Sequence, residues 1–209
     1  CLADNTARMG SPCWGEHGAA FLVETPSARL LFDTRQSGTV LARNLEVLGH
    51  SWRFSAVVLS HGHADHTGGL PEVLARTGEV DVFAHPAVFR PRFSRVGDGV
   101  RSIGIPYSRQ ELGPRARWQF AREPAEVAPG VWATGEIPRR AGPVPEDPRL
   151  VVREEGQWRP DPVEDDQALV VEAGEGLGPP GGAAPASVAG CGPCAPPRPC
   201  RPGRAGGAG

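Results

Sequence analysis

Ser60-His61-Gly62-His63-Ala64-Asp65-His66-Thr67-Gly68-Gly69-Leu70 is the stretch whose reading decides the fold. Three of the chain's six histidines fall within six residues, with a carboxylate among them. Ahead of it, Ser55-Ala-Val-Val-Leu-Ser60 is a continuous apolar run between two serines, the pattern of a buried strand. Behind it, Gly69 to Arg76 reads as a short helix ended by Thr77-Gly78. A loop between such a strand and helix stands above the carboxyl end of a sheet, where α/β folds place their sites. Residues two apart on extended backbone point the same way, so His61 and His63 can hold one ion together. Asp65 and His66, in the turn that follows, can reach a second. Imidazole and carboxylate suit zinc, with manganese and iron also compatible. Gly62 and Ala64 leave room for ions and substrate, and Gly68-Gly69 permits a tight entry into the helix.

Outward from the motif, Ala19 to Glu24 and Ala28 to Asp33 read as two strands of a hairpin joined by Thr25-Pro26-Ser27. Ser37 to Leu48 reads as a helix with Leu41, Leu45 and Leu48 on one face and Gly49 as its stop. Val80 to Ala84 is a further strand. This alternation predicts an α/β class. Residues 90–122 carry eight arginines against Asp98 and Glu111, with weak periodicity, and are expected to form a lid or insertion loop. Residues 123–175 reverse the balance, with 13 acids against five arginines, and contain strand-like runs at 130–134, 149–153 and 167–172. One domain is therefore expected over 1–175. Residues 176–209 hold 18 glycines and prolines, too many for a packed element, and are expected to be a disordered tail. Its abrupt start and Gly, Ala, Pro, Arg and Cys content suggest a shifted reading frame; a native flexible tail is the alternative. Cys191-Gly-Pro-Cys194 has redox or zinc-motif spacing, but the surrounding prolines preclude the helix that activates such a pair.

The 209 residues carry 22 basic and 24 acidic side chains, a net charge of −2 that argues against general attraction to nucleic acid or membranes. All basic residues are arginine, as expected of a GC-rich genome and compatible with a thermophilic source. No apolar run approaches the roughly 20 residues of a spanning helix, and no secretory signal opens the chain, which begins at Cys1. A missing or altered natural start is one expectation; a cytoplasmic protein with Cys1 and Cys13 as free thiols is another.

The motif resembles the hallmark H-x-H-x-D-H of the metallo-β-lactamase superfamily. Asp4-Asn5-Thr6-Ala7, Glu16-His17-Gly18, Leu31-Phe32-Asp33-Thr34 with Ser37-Gly38, and Ala84-His85-Pro86 are similar, in the same order, to one branch of it. So are Thr134 to Arg139 and Asp165 to Leu169. That branch is the dihydropterin ribofuranosylaminobenzene-phosphate synthase group with its bacterial relatives.

The resemblance implies an αββα sandwich, incomplete at its C-terminus in this chain, with a two-metal zinc site at one edge. It assigns His61 and His63 to the first ion and Asp65 and His66 to the second, with Asp65 also orienting a water or taking up its proton. Asp33 supports the loop from behind. His85 is a structural or pocket-lining residue, with direct metal ligation the less favoured alternative; His17 beside Glu16 either sits near the site or, the favoured reading, is a buried, hydrogen-bonded histidine. The Arg-rich stretch has two readings: a solvated surface, or a face on which Arg90, Arg92 and Arg95 attract an anionic, phosphorylated, pterin-like small molecule.

Two departures stand out. Arg35 occupies a position where glycine is usual, which predicts a strained turn. No histidine follows His85, although the superfamily draws further ligands from its second half. Asp165, Asp166 and Glu136 are the candidate replacements, and partial metal binding with low activity is expected. The leading expectation is a metal-dependent hydrolase acting through metal-activated water. A non-catalytic or damaged protein with half a metal site is the second. A nuclease of this fold is the third, disfavoured by the near-neutral charge.

Overall fold

A computed structural model of the chain describes residues 1–7, 9–137 and 147–172. The tail over 176–209, its Cys191–Cys194 motif and its suspected frame change lie outside the described residues. The expected hairpin is β1 (Phe21–Glu24) and β2 (Arg29–Phe32), paired Phe21 to Phe32 through Glu24 to Arg29. Helix α1 (Gly38–Val47) follows, capped by Ser37, whose Oγ accepts from the Val40 amide at 3.3 Å. Then come β3 (Ala56–Val58), the single turn α2 (Ala64–Thr67), α3 (Leu70–Thr77) and β4 (Val80–Ala84). After a 3-10 helix at Pro86–Phe89 come β5 (Phe93–Val96), β6 (Gly99–Ser102), α4 (Arg109–Leu112) and β7 (Ala116–Phe120). The described part ends with β8 (Ala125–Ala128), β9 (Val131–Ala133), β10 (Leu150–Glu154), β11 (Gln157–Pro160) and β12 (Leu169–Val171).

The central sheet runs β1-β2-β3-β4-β7, antiparallel at β1 and parallel from β2 onward. Period-two alternation divides its side chains between two cores. Leu31, Val57 and Val82 face Leu41 and Leu45 of α1 and Val73 and Leu74 of α3. Leu30, Phe32, Ala56 and Val58 face the other way, onto Val131, Ala133 and Leu169 of a second sheet, β12-β9-β8. A strand buried on both sides has no polar alternation, which is why the run before the motif is apolar throughout. Among the described residues this gives three layers, helix on sheet on sheet. The second helical layer of the anticipated αββα sandwich is not found among them.

The Arg-rich stretch is not a structureless loop. It supplies β7, an edge of the central sheet, and the β5–β6 hairpin, which joins β10 and β11 in a third sheet ordered β11-β10-β5-β6. This sheet is tied to the motif by the Ala64 amide, which donates to the Ile103 carbonyl at 2.8 Å, and by an antiparallel bridge between His63 and Gly104. Hairpin β10–β11 turns through Glu155-Gly156, whose φ values of 49° and 80° are those of a type I′ turn.

Leu31 is fully buried under the helices, whereas Val100 stands exposed on β6. Leu31→Ala should lower stability by about 2–5 kcal/mol, and Val100→Ala by no more than about 0.5 kcal/mol, as read from urea unfolding midpoints.

Candidate metal centre

The motif is organised from below by one buried anion. Asp33 leaves the end of β2 in a left-handed conformation, φ 60°, and is wholly buried. Its carboxylate accepts from the Ser60 amide, from Ser60 Oγ and from Nδ1 of His66, each at 2.7 Å. One side chain therefore grips both the first residue of the motif and its last histidine.

Two of the three motif imidazoles, His61 and His66, are hydrogen-bonded from behind, by Ser60 and Asp33, whereas the outer nitrogen of His63 is buried with no hydrogen-bond partner among the described residues. Nδ1 of His61 lies 2.9 Å from Ser60 Oγ, whose hydroxyl donates on to Asp33, so that Nδ1 is the donor and Nε2 is left as an acceptor. Nε2 of His61 and Nδ1 of His63 face each other at 3.0 Å. The remaining His63 nitrogen faces Asp161 Oδ2 at 3.5 Å. His66, held at Nδ1 by Asp33, presents Nε2 to Asp65 Oδ2 at 3.4 Å. The charges divide accordingly. Burial, with the charges of His66, His63 and Arg92, holds the His61 imidazole well below its ordinary range, so it stays neutral. Burial also opposes charge on His66, but Asp33 and Asp65 outweigh it and push that group up to about 10. Asp65 is lowered to about 2, because His66, His63 and His17 overcome its burial.

This arrangement fits metal ligation. The hydroxyl partner of His61 and the carboxylate partner of His66 set tautomer and ring orientation, as such partners do for metal-bound histidines. The inner donors form two pairs, His61 with His63 and Asp65 with His66. Among the described residues no three such side chains already form a group able to hold one ion.

A strap from the segment just before β12 closes the loop. Asp165 Oδ2 accepts from the Gly62 amide at 2.8 Å. The Gln167 side chain donates to the Leu59 carbonyl at 2.7 Å, and its backbone amide to the Ser60 carbonyl at 2.9 Å. Gly62 has no room for a side chain, since a Cβ there would lie 2.1 Å from the Val88 carbonyl oxygen. Asp161 and Gln167 were not anticipated from the sequence. The only signal was their place in the acidic segment and the Asp165-to-Leu169 similarity.

The cleft over the motif measures about 900 Å³. His61, His63, Asp65 and His66 line it, and so do His17, Asn5, Ser94, Arg101 and Arg149. The four candidate substrate contacts lie elsewhere. His85 is buried; its Nδ1 accepts from the Ala87 amide at 3.1 Å, capping the 3-10 helix. Arg90 pairs with Glu154 and Glu164. Arg92 is fully buried between Asp161 and Asp165, at 3.3 and 2.7 Å, because the strap carboxylates need a cation. Arg95 alternates with Ser94 on β5 and so points to the hairpin's other face. The candidate replacement ligands are also occupied: Asp165 by the strap, Glu136 by Arg122 at 3.0 Å and His85 at 3.5 Å. Asp166 is buried in the strap and does not line the cleft. His17 is not buried: its side chain is 70% exposed, 3.2 Å from Asp65 Oδ2. Arg35 adopts φ 64°, the left-handed turn that a glycine would make without strain. Its guanidinium is buried and donates to the Asp4 carbonyl at 3.1 Å and to the Glu16 carbonyl.

Comparison with known proteins agrees with this geometry. Residues 14–192 match the metallo-beta-lactamase superfamily. The 7,8-dihydropterin-6-methyl-4-(beta-D-ribofuranosyl)-aminobenzene-5'-phosphate synthase of Methanocaldococcus jannaschii is 33% identical over 146 residues, covering 65% of this chain and 49% of that protein. An uncharacterized protein of the same organism is 31% identical over 175 residues, covering 82% of this chain and 64% of its own length. The crystal structure of Tm1679, described as a metal-dependent hydrolase of the beta-lactamase superfamily, is similar with a TM-score of 0.66 at 28% identity, over 83% of this chain and 60% of that one. The chain thus spans about half to two-thirds of the length of these relatives.

Asp33→Asn keeps the shape but removes the charge and one acceptor. It should lower stability by about 1–3 kcal/mol in a urea titration of the metal-free chain, while Glu24→Gln, exposed at the hairpin end, should leave the midpoint unchanged.

Proposed function

We propose, from the premise that the chain belongs to the metallo-β-lactamase superfamily, that it is a metal-dependent hydrolase acting on a small anionic, phosphorylated substrate. The observation that carries this reading is the set of three imidazoles that line one cleft with Asp65, two of them, His61 and His66, held from behind by Ser60 and Asp33. His61 and His63 would hold one ion, Asp65 and His66 another. Zinc suits this donor set, with manganese or iron as alternatives. Such ions, when bound, supply a nucleophilic water at neutral pH and polarise the bond under attack.

The chain's own residues do the rest. The Asp65 carboxylate, at the cleft wall between the imidazoles of His17 and His66, orients a water or accepts its proton. Arg101 is exposed on β6, lines the cleft, and has no carboxylate partner among the described residues, so it is available to a substrate phosphate. Arg149 lines the same cleft but is bound to Asp147 through Nε and NH2, at 2.9 and 2.6 Å. A pterin-like phosphate ester is the substrate class suggested by the name of the M. jannaschii relative. None of the described helices is long and apolar enough to cross a membrane, and a soluble, cytoplasmic enzyme of small molecules is the setting we propose. A second reading, a binding protein with an incomplete site, is favoured by the lack of a ready three-donor group.

Adding Zn²⁺ or Mn²⁺ to the full chain and assaying generic phosphoester and ester substrates separates the two. Turnover that is lost in His63→Ala is the expected result; no turnover with either ion would leave the binding protein. With a phosphorylated substrate, Arg101→Ala should raise KM about tenfold, the worth of one charge-assisted hydrogen bond, with little change in kcat.

A further inference from the structure

We propose that the wall of the cleft formed by Ser94, Arg101 and Arg149 is a subsite for the dianion of a phosphomonoester, with Asp147 as its built-in competitor. The inference rests on the small-anion reading above and deepens it by naming the charge state that the cleft selects and the residues that set it.

Strand register builds this wall. Leu150 of β10, Ser94 of β5 and Arg101 of β6 are direct cross-strand partners, so they form one row across the third sheet. All three line the cleft. Phe93, the neighbour of Ser94, points to the other face, where its ring meets that of Trp158 at 5.2 Å. Arg149 joins the row at the start of β10, where its carbonyl accepts from the Arg95 amide at 2.8 Å. The row is tied to the motif because β6 runs on into Ile103 and Gly104, the residues bridged to Ala64 and His63. Arg101 precedes Ile103 by two residues, roughly 7 Å of extended chain, so the wall stands beside the motif. Ile103 and Leu150 line the same cleft and give the organic part of an ester an apolar floor.

The donors on this wall are unspent. Neither the Ser94 hydroxyl nor the Arg101 guanidinium meets a side-chain partner among the described residues. Arg149 is taken at one edge, where Asp147 accepts from Nε at 2.9 Å and from Nη2 at 2.6 Å. Nη1 is left over. The two residues are neighbours but one in the chain, and the Arg149 side chain is 72% exposed, so the pair holds weakly and is open to exchange. Asp147 lines the cleft as well, and its carboxylate occupies Arg149 as a substrate oxygen would. Two guanidinium groups against one carboxylate leave the wall with a net positive charge. A monoanion does no more than exchange with Asp147, charge for charge. A dianion gains twice as much from the two cations, and a phosphomonoester brings three acceptor oxygens to the three donor groups.

The test is a calorimetric titration of the full chain with phenyl phosphate and phenyl sulfate, in excess chelator so that no metal ion takes up either ligand. The two have the same shape, and near pH 8, above a second pKa of about 6, the phosphate carries one more negative charge. Phenyl phosphate should bind about tenfold more tightly than phenyl sulfate. Arg101→Ala should weaken phenyl phosphate about tenfold, and Ser94→Ala about threefold. Asp147→Asn should tighten it about threefold or more through loss of the like charge, a gain that misfolding does not produce. Glu24→Gln makes the same change in net charge at the exposed end of the first hairpin and should leave the affinity unchanged. Equal binding of the two ligands, unchanged affinity in Arg101→Ala, or weaker or unchanged binding in Asp147→Asn would overturn the subsite. No metal takes part in this titration, so such a failure leaves the hydrolase reading standing. A chain that binds phenyl phosphate as expected yet turns over nothing with added ions loses that reading alone.

Discussion

The buried carboxylate of Asp33 is the constraint on which the site depends. An isolated anion in this position would be strongly disfavoured. It is tolerated because three donors meet it, from the backbone and hydroxyl of Ser60 and the ring of His66. The same three contacts join the end of β3 to the end of α2, so the loop between them has little freedom. The left-handed backbone at Asp33, followed by a second at Arg35, marks where this geometry is maintained against local preference. Arg35 contributes twice. Its carbonyl accepts from the Gly69 amide at 3.0 Å at the start of α3, and its guanidinium holds the arm. The strain of a non-glycine residue there has a structural return that glycine could not give.

Much of the first half was legible from the sequence because its elements are buried in the regular way. β2, β3 and β4 read as strands, and α1 reads as a helix with a polar cap, because their hydrophobic periods match their backbone periods. The motif was legible because three histidines at this spacing are rare outside metal sites. The second half was harder for a physical reason. β6 and β11 are exposed along their whole length, so no alternation marks them. β8 is four residues long and ends before a pattern forms, whereas β9, β10 and β12 fall within runs that read as strand-like.

Long-range pairing was the other barrier. Arg92 looked like a surface cation available to substrate, since arginine is seldom buried without partners. Its partners, Asp161 and Asp165, lie about 70 residues away and appeared in the sequence only as members of an acidic run. Of the two readings of His17, the favoured buried one failed and the one near the site held, because nothing beside it in the chain reveals Asp65 as its neighbour. Charge counts over a window thus misplaced the cleft cations, which are Arg101 and Arg149 by topology.

The Gln167 strap has a bearing on biosynthesis. Its side chain closes onto a carbonyl 108 positions earlier in the polypeptide. On the ribosome the histidine cluster emerges long before the residues that lock its loop have been translated. Until then its imidazoles lack both the strap and the Asp161–Arg92 pair beside His63, so a nascent chain passes through a stage with the donors present and their frame unfinished. Maturation of the site is therefore a late event in translation, governed by the Asp161-to-Gln167 strap rather than by the motif itself.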